Sequence, residues 1–155
     1  MTTSIIDGRI EAADLKRAKG GVSVFRSLTF QPDTGSTRTI KNAVVKDNVA
    51  GELVPGTAGR FYIYNAFDLK GVHGVRTRDG RATYGFATNN KKIFLIVGIV
   101  NIAWIALRVF VIDGQVPLLA ILLMILSVAG FIFMSKGEKD AKAQFDGDAG
   151  YAPPA

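Results

Sequence analysis

Residues 93–112, IFLIVGIVNIAWIALRVFVI, and residues 116–134, VPLLAILLMILSVAGFIFM, are two nearly pure apolar runs separated only by Asp113, Gly114 and Gln115. As a helix the first run would extend about 30 Å at 1.5 Å per residue, the thickness of a bilayer's hydrocarbon core. The second holds 19 residues and no charge. So short a link permits only an antiparallel return, and Pro117 falls where the first turn of a helix tolerates a missing N–H. The expectation is a two-helix transmembrane hairpin over residues 91–135, with both ends of the chain on one side of the membrane.

Lys91 and Lys92 precede the first run and Lys136, Lys139 and Lys142 follow the second, whereas the link carries no Lys or Arg. By the positive-inside rule both termini are expected in the cytoplasm. The start, MTTSIIDGRIEAADLKRAKGG, lacks a basic region followed by an apolar core. No secretory signal is expected, and the expected location is a bacterial inner membrane.

Two polar side chains interrupt the first run. Arg108 lies about one turn from its end, so it can snorkel to the headgroups or reach Asp113, and marks the membrane boundary together with Lys91 and Lys92. Asn101 falls near mid-span, where an amide needs a partner on another helix. Ser127 and the small residues Ala129 and Gly130 of the second run are the candidate receivers, and another protein is the alternative.

The first ninety residues read differently. Residues 1–21 show capping-box spacing at Ser4 and Asp7, Ile6, Ile10 and Ala13 near one face and a stop at Gly20-Gly21, which predicts an amphipathic helix. From residue 22 the period becomes two, with Val22, Val24, Leu28 and Phe30 sharing one face of a half-buried strand. STRTIKNAVVKDNVA, RFYIYNAF and the Asp79-Gly80 hairpin supply further strands. About five short strands over 22–90 predict a small antiparallel β-barrel-like domain of the OB or SH3-like kind, so the fold class is α+β. Residues 136–155 lack a sustained apolar face and are expected to form a flexible tail.

Residues 1–92 carry 15 Lys or Arg against 8 Asp or Glu, a net +7. That charge suits anionic lipid headgroups or an acidic partner, and Arg76, Arg78 and Arg81 around the Asp79-Gly80 turn are its densest cluster. The chain has no cysteine, which excludes disulfides, thiol catalysis and Cys-ligated metals. His73, the single histidine, has no recognisable ligand or catalytic spacing to a carboxylate. RATYGFAT partly resembles the aromatic strand of an RNA-recognition motif, but the module's alternating helices are missing and Thr88 replaces its second aromatic. Nucleic acid is therefore not an expected partner.

No catalytic, cofactor or metal residue is expected. The function expected is that of a non-catalytic accessory or scaffold subunit, with its hairpin against other membrane subunits or its own copies and its β domain presented to partners. A small homo-oligomeric pore, or a membrane-tethered binder of nucleic acid or anionic lipid, is the alternative.

Overall fold

A computed structural model describes residues 1–66, 69–87, 89–112 and 114–152. The chain divides into two compact units. One comprises residues 1–87 with 139–155, the other residues 88–138.

The first unit begins with an 18-residue strand, β1 (Thr2–Lys19), where a helix was expected. The helical reading rested on Ile6, Ile10 and Ala13; the spacing of four fits a two-residue period as well as a helical one, and a register shift between Ile10 and Ala12 brings Ala13 against the core as well. The strand buries Ile6, Gly8 and Ile10 and leaves Ile5 and Arg9 exposed. Gly20 and Gly21, read as a helix stop, adopt φ of 65° and 79° and form the two-residue hairpin turn that brings Lys19 opposite Val22.

The remaining strands are β2 (Val22–Pro32), β3 (Arg38–Lys46), β4 (Ala58–Ala66), β5 (Leu69–Thr77) and the short β6 (Ala82–Tyr84). Neighbours run β3-β2-β1-β4-β5-β6, and a parallel pairing of Ala43 with Lys70 joins β3 to β5. Five strands thus close a barrel and β6 lies outside the ring as a flap on β5. The count of five agrees with expectation, although β1 takes a place in the ring that had been given to β6.

At the closing seam, a Cβ on Gly71 would lie 1.9 Å from the Val44 carbonyl oxygen. Glycine is what lets β3 and β5 approach there. The Tyr64 hydroxyl donates to the same carbonyl at 2.8 Å.

The inward face changes parity partway along two paired strands. Ser23 and Phe25 are buried in β2, then Leu28 and Phe30; their partners in β3 are Val45 and Ala43, then Ile40 and Arg38. The one-residue switch occurs opposite Asn42, whose φ of 52° is the one positive value among described non-glycine residues. Asparagine tolerates that region better than most residues. The kink corrects the expected face, because Val22 and Val24 do not share the inner side with Leu28 and Phe30.

Inside the ring, Ile6, Ile10, Phe25, Leu28, Phe30, Val45, Phe61, Val72 and Val75 form the core. The helical turn α1 (Asp47–Ala50) adds Val49, and the segment after it adds Leu53. Each such side chain contributes about 1.5–3 kcal/mol by leaving water.

The second unit contains α2 (Asn89–Leu107), continued by a π-helical turn (Arg108–Ile112), and the part of α3 (Leu118–Gly147) up to Glu138. Two helices are long and apolar enough to cross a membrane, at Lys91–Ile112 and within Leu118–Gly147. Large apolar side chains cover their outside, among them Ile99, Trp104, Phe110, Leu118 and Ile125.

The expected flexible tail is instead helical as far as Gly147, and residues from Lys139 onward belong to the barrel unit. Ala141 and Phe145, one turn apart, are buried there. Phe145 fills the hollow left by Gly74, where a Cβ would come within 2.5 Å of its ring. Two apolar residues a turn apart are too faint a stripe to read without the surface that receives them.

Candidate functional site

Within the hairpin, Asn101 is 6% exposed and its amide nitrogen donates to the Ala120 carbonyl at 2.6 Å. Ser127, also buried, donates to the Phe94 carbonyl. Gly130 lies against the Phe94 ring, where any Cβ would collide. The structure thus places Asn101, Ser127 and Gly130 at the contact between α2 and α3, with partners other than those expected. Asn101 meets Ala120, seven residues nearer the tip than Ser127. Residues 114–117 are non-helical and cover up to about 3.3 Å each against 1.5 Å in a helix, so the returning chain reaches the depth of Asn101 early.

Arg108 opens the π-helical turn at the hairpin's tip, half-buried, with its carbonyl accepting from the Gly114 N–H at 3.1 Å. Asp113, its expected partner, lies outside the described residues. Lys91 is paired with Glu138 at 3.0 Å and sits 5.5 Å from the Phe131 ring, whereas Lys92 is exposed.

The three arginines of the basic cluster are each engaged. Arg76 donates to the Phe145 carbonyl at 3.0 Å and stacks over its ring at 4.3 Å. Arg78 donates from one nitrogen, Nη2, to both carboxylate oxygens of Asp33 at 2.7 and 2.8 Å. Arg81 meets Glu52 at 2.7 Å and Asp79 at 3.0 Å. Arg78 and Arg81 thus face carboxylates across largely exposed ion pairs, which offset part of their charge, whereas Arg76 meets a carbonyl and a ring.

Sequence reasoning missed a second packed layer outside the ring. Tyr62 and Tyr64 alternate with the core residues Phe61 and Ile63 along β4, and point to the opposite face. There they gather around the fully buried His73, with ring centroids 5.9 and 6.4 Å away, while Tyr84 and Phe86 lie at 6.0 and 6.4 Å. Phe145 completes the layer at 5.1 Å from Tyr62 and 5.4 Å from Tyr84. The alternation Tyr62-Tyr64 and Tyr84-Phe86 was the available signal. An outer face that aromatic is a surface to be covered.

Burial drives the His73 pKa down to about 4, against a smaller opposing pull from the Gln144 side chain. It is a neutral packing residue at ordinary pH. At the rim, Arg60 forks onto Asp7 at 2.7 and 2.8 Å and also holds Asp148, which accepts the Tyr62 hydroxyl at 2.5 Å. Burial works to raise the Asp148 pKa, but the hydrogen bonds from Arg60 and Tyr62 outweigh it and hold the carboxyl below its usual range. Burial, with the bond to Asp148, raises the Tyr62 phenol. Among the described residues no cluster of His, Asp and Glu could hold a metal ion.

Sequence reasoning also passed over Arg38, Lys41 and Lys70, which line the open end of the barrel. For Arg38 and Lys70 the one visible signal is charge at positions continuing the inward parity of β3 and β5. No protein-family model, curated protein or solved structure matches the chain.

Proposed function

We propose that this chain is a non-catalytic membrane-anchored module, an accessory or scaffold subunit whose hairpin holds the barrel at the cytoplasmic face of a bacterial inner membrane. One observation carries the reading. The hairpin is apolar outward and polar inward, with Asn101 and Ser127 both satisfied by backbone carbonyls of the same hairpin. In hydrocarbon that arrangement gives the Asn101 amide and the Ser127 hydroxyl each a partner within the hairpin. The same bonds speak against the pore reading, because the Asn101 amide is spent between α2 and α3 and lines no path. Packing against other subunits would then use the apolar outer faces.

The barrel is the part offered to partners. Five closed strands with a helical turn between the third and fourth favour the OB-like over the SH3-like form. Cations flanking the spans, and none at Gly114 or Gln115, favour cytoplasmic termini.

The cysteine-free chain suits a direct test. Single cysteines at Gln115 and Ala149 are labelled in intact cells with a membrane-impermeant maleimide, after carbonate washing has shown whether the protein stays with membranes. Labelling at Gln115 alone is the expected result. Release by carbonate overturns the anchor, and labelling at Ala149 alone overturns the orientation. Co-purification in mild detergent, repeated with the hairpin exchanged for an unrelated one, then asks whether the barrel recruits partners.

A further inference from the structure

The two ends of the barrel are finished differently. At one end α1 and the segment after it bury Val49 and Leu53 in the core. At the other, where β1 and β3 begin and β4 ends, the inward parity leads to polar residues. Thr2 and Ser4 continue the line of Ile6 and Ile10; Asn65 continues Phe61 and Ile63; Lys70 continues Val72; Arg38 is paired with Phe30. Inward positions that would complete a core are instead hydroxyl, amide, ammonium and guanidinium.

These residues line an open cavity of about 460 Å³, together with Thr39, Ile40, Lys41, Ile63 and Tyr64. Ile40 and Ile63 give it an apolar floor. Among the described residues its lining holds three cations and no carboxylate. Elsewhere on the barrel, Arg26, Arg60, Arg78 and Arg81 each meet a carboxylate within 3.0 Å. No carboxylate of the described residues pairs with Arg38, Lys41 or Lys70.

We infer that the open end of the barrel binds a phosphate group, through Arg38 and Lys70 with Lys41 at the rim, and through the hydroxyls of Thr2, Ser4 and Thr39 and the amide of Asn65. Arginine's planar fork matches two phosphate oxygens, lysine adds a point charge, and hydroxyl donors fill the remaining acceptor sites. The volume falls within the range of small-ligand sites, roughly 300–1,000 Å³. The apolar floor suits a phosphate carried on an organic body, whether a soluble phosphorylated molecule or a lipid headgroup. This site is independent of the anchor reading and does not need it.

Full-length protein in nanodiscs of phosphatidylcholine alone is titrated with pyrophosphate by calorimetry, while methyl spectra follow Ile40 and Ile63. In a second arm the nanodiscs contain phosphatidylglycerol and no pyrophosphate. The expected result is saturable binding in the first arm that weakens about tenfold or more in Arg38→Gln with Lys70→Gln. Arg78→Gln, which removes a cation of equal charge paired with Asp33, should leave it unchanged.

Shifts of the Ile40 and Ile63 methyls in the phosphatidylglycerol arm alone, lost in the double variant, assign the phosphate to lipid. Equal binding by wild type and double variant overturns the site, as does silence in both arms. Exposed Arg38 and Lys70 can be replaced without opening the core, and an unchanged thermal transition of the double variant verifies this.

Discussion

In the barrel unit Leu28, Phe30, Phe61 and Val75 are fully buried while Arg9, Arg26 and Arg78 face outward; in the hairpin Ile99, Phe110 and Leu118 face outward while Asn101 and Ser127 are buried. One chain therefore uses two opposite rules for its side chains. The contrast is the one expected of a unit built for water joined to a unit built for hydrocarbon. Its cost structure differs too. Barrel stability should depend on volume and desolvation, and hairpin stability on close packing and single polar bonds. Trp104, the one tryptophan, lies in the hairpin, and all four tyrosines lie outside it, so the two units can be followed separately in one sample.

The largest effect should come from Phe145→Ala. It empties a site between Tyr62, Tyr84 and Arg76, and truncating a buried phenylalanine costs about 3–5 kcal/mol. Urea unfolding of nanodisc-embedded protein, followed by tyrosine near-ultraviolet dichroism, should shift by that amount while Trp104 emission holds. An unmoved tyrosine transition would show that residues past Lys139 are no part of the barrel's packing.

Acid should act next, and on the barrel first. His73 takes up a proton near its ordinary 6.5 when unfolded but only near 4 when folded. Between those values the unfolded state binds more protons, so stability present above pH 6.5 is lost as pH falls towards 4, by about 3 kcal/mol. Asp148 adds a second loss at lower pH, below its usual 3.8, because its folded carboxyl resists protonation. In His73→Phe the first loss should vanish and the second remain. A barrel transition independent of pH across 6.5 to 4 in the native chain would contradict the burial of His73.

Gly71→Ala is the third. Its methyl must enter space held by the Val44 carbonyl and the Tyr64 ring, and forcing a group into a closed seam costs about 1–3 kcal/mol. The tyrosine transition should fall and hydrogen exchange at Val44 should accelerate. Slower or unchanged exchange there would mean that the ring is not shut at β3 and β5.

What the sequence disclosed follows the same division. The two long helices were legible because each rests on about twenty nearly uninterrupted apolar residues, long and apolar enough to cross a membrane, a pattern that can be read without a packing partner. The barrel's existence was legible from period-two runs and the Asp79-Gly80 turn, but β1 was not, since Ile6 and Ile10 satisfy two periods at once. The parity switch at Asn42 hid the inner face of β2. Residues 139–147 were read as tail because Ala141 and Phe145 mean little until Gly74 provides a hollow. Of the site residues, Asn101, Ser127 and Gly130 could be placed at a helix contact, whereas the pairing of Arg76, Arg78 and Arg81 could not be seen, because Phe145, Asp33 and Glu52 are distant in sequence.

The smallest effect compares one bond in each unit. Tyr64 donates to the Val44 carbonyl at 2.8 Å in the barrel, and Asn101 donates to the Ala120 carbonyl at 2.6 Å in the hairpin. Tyr64→Phe removes one hydroxyl from a buried seam and should cost about 1 kcal/mol, because a lost hydrogen bond leaves Val44's carbonyl short of a partner. Asn101→Leu should cost less, about 0.6 kcal/mol, since the Ala120 carbonyl retains its place in the α3 ladder and leucine is at home in lipid. Trp104 emission during unfolding by an ionic detergent reads the second, and tyrosine dichroism in urea the first. A loss beyond about 2 kcal/mol for Asn101→Leu exceeds what one interhelical bond supplies in a bilayer and would place Asn101 in a wider polar network. An effect near zero, with unchanged co-purifying proteins, would make the asparagine dispensable to both the hairpin and its partners, and leave Ser127 and Gly130 as the features that set how closely α2 and α3 approach.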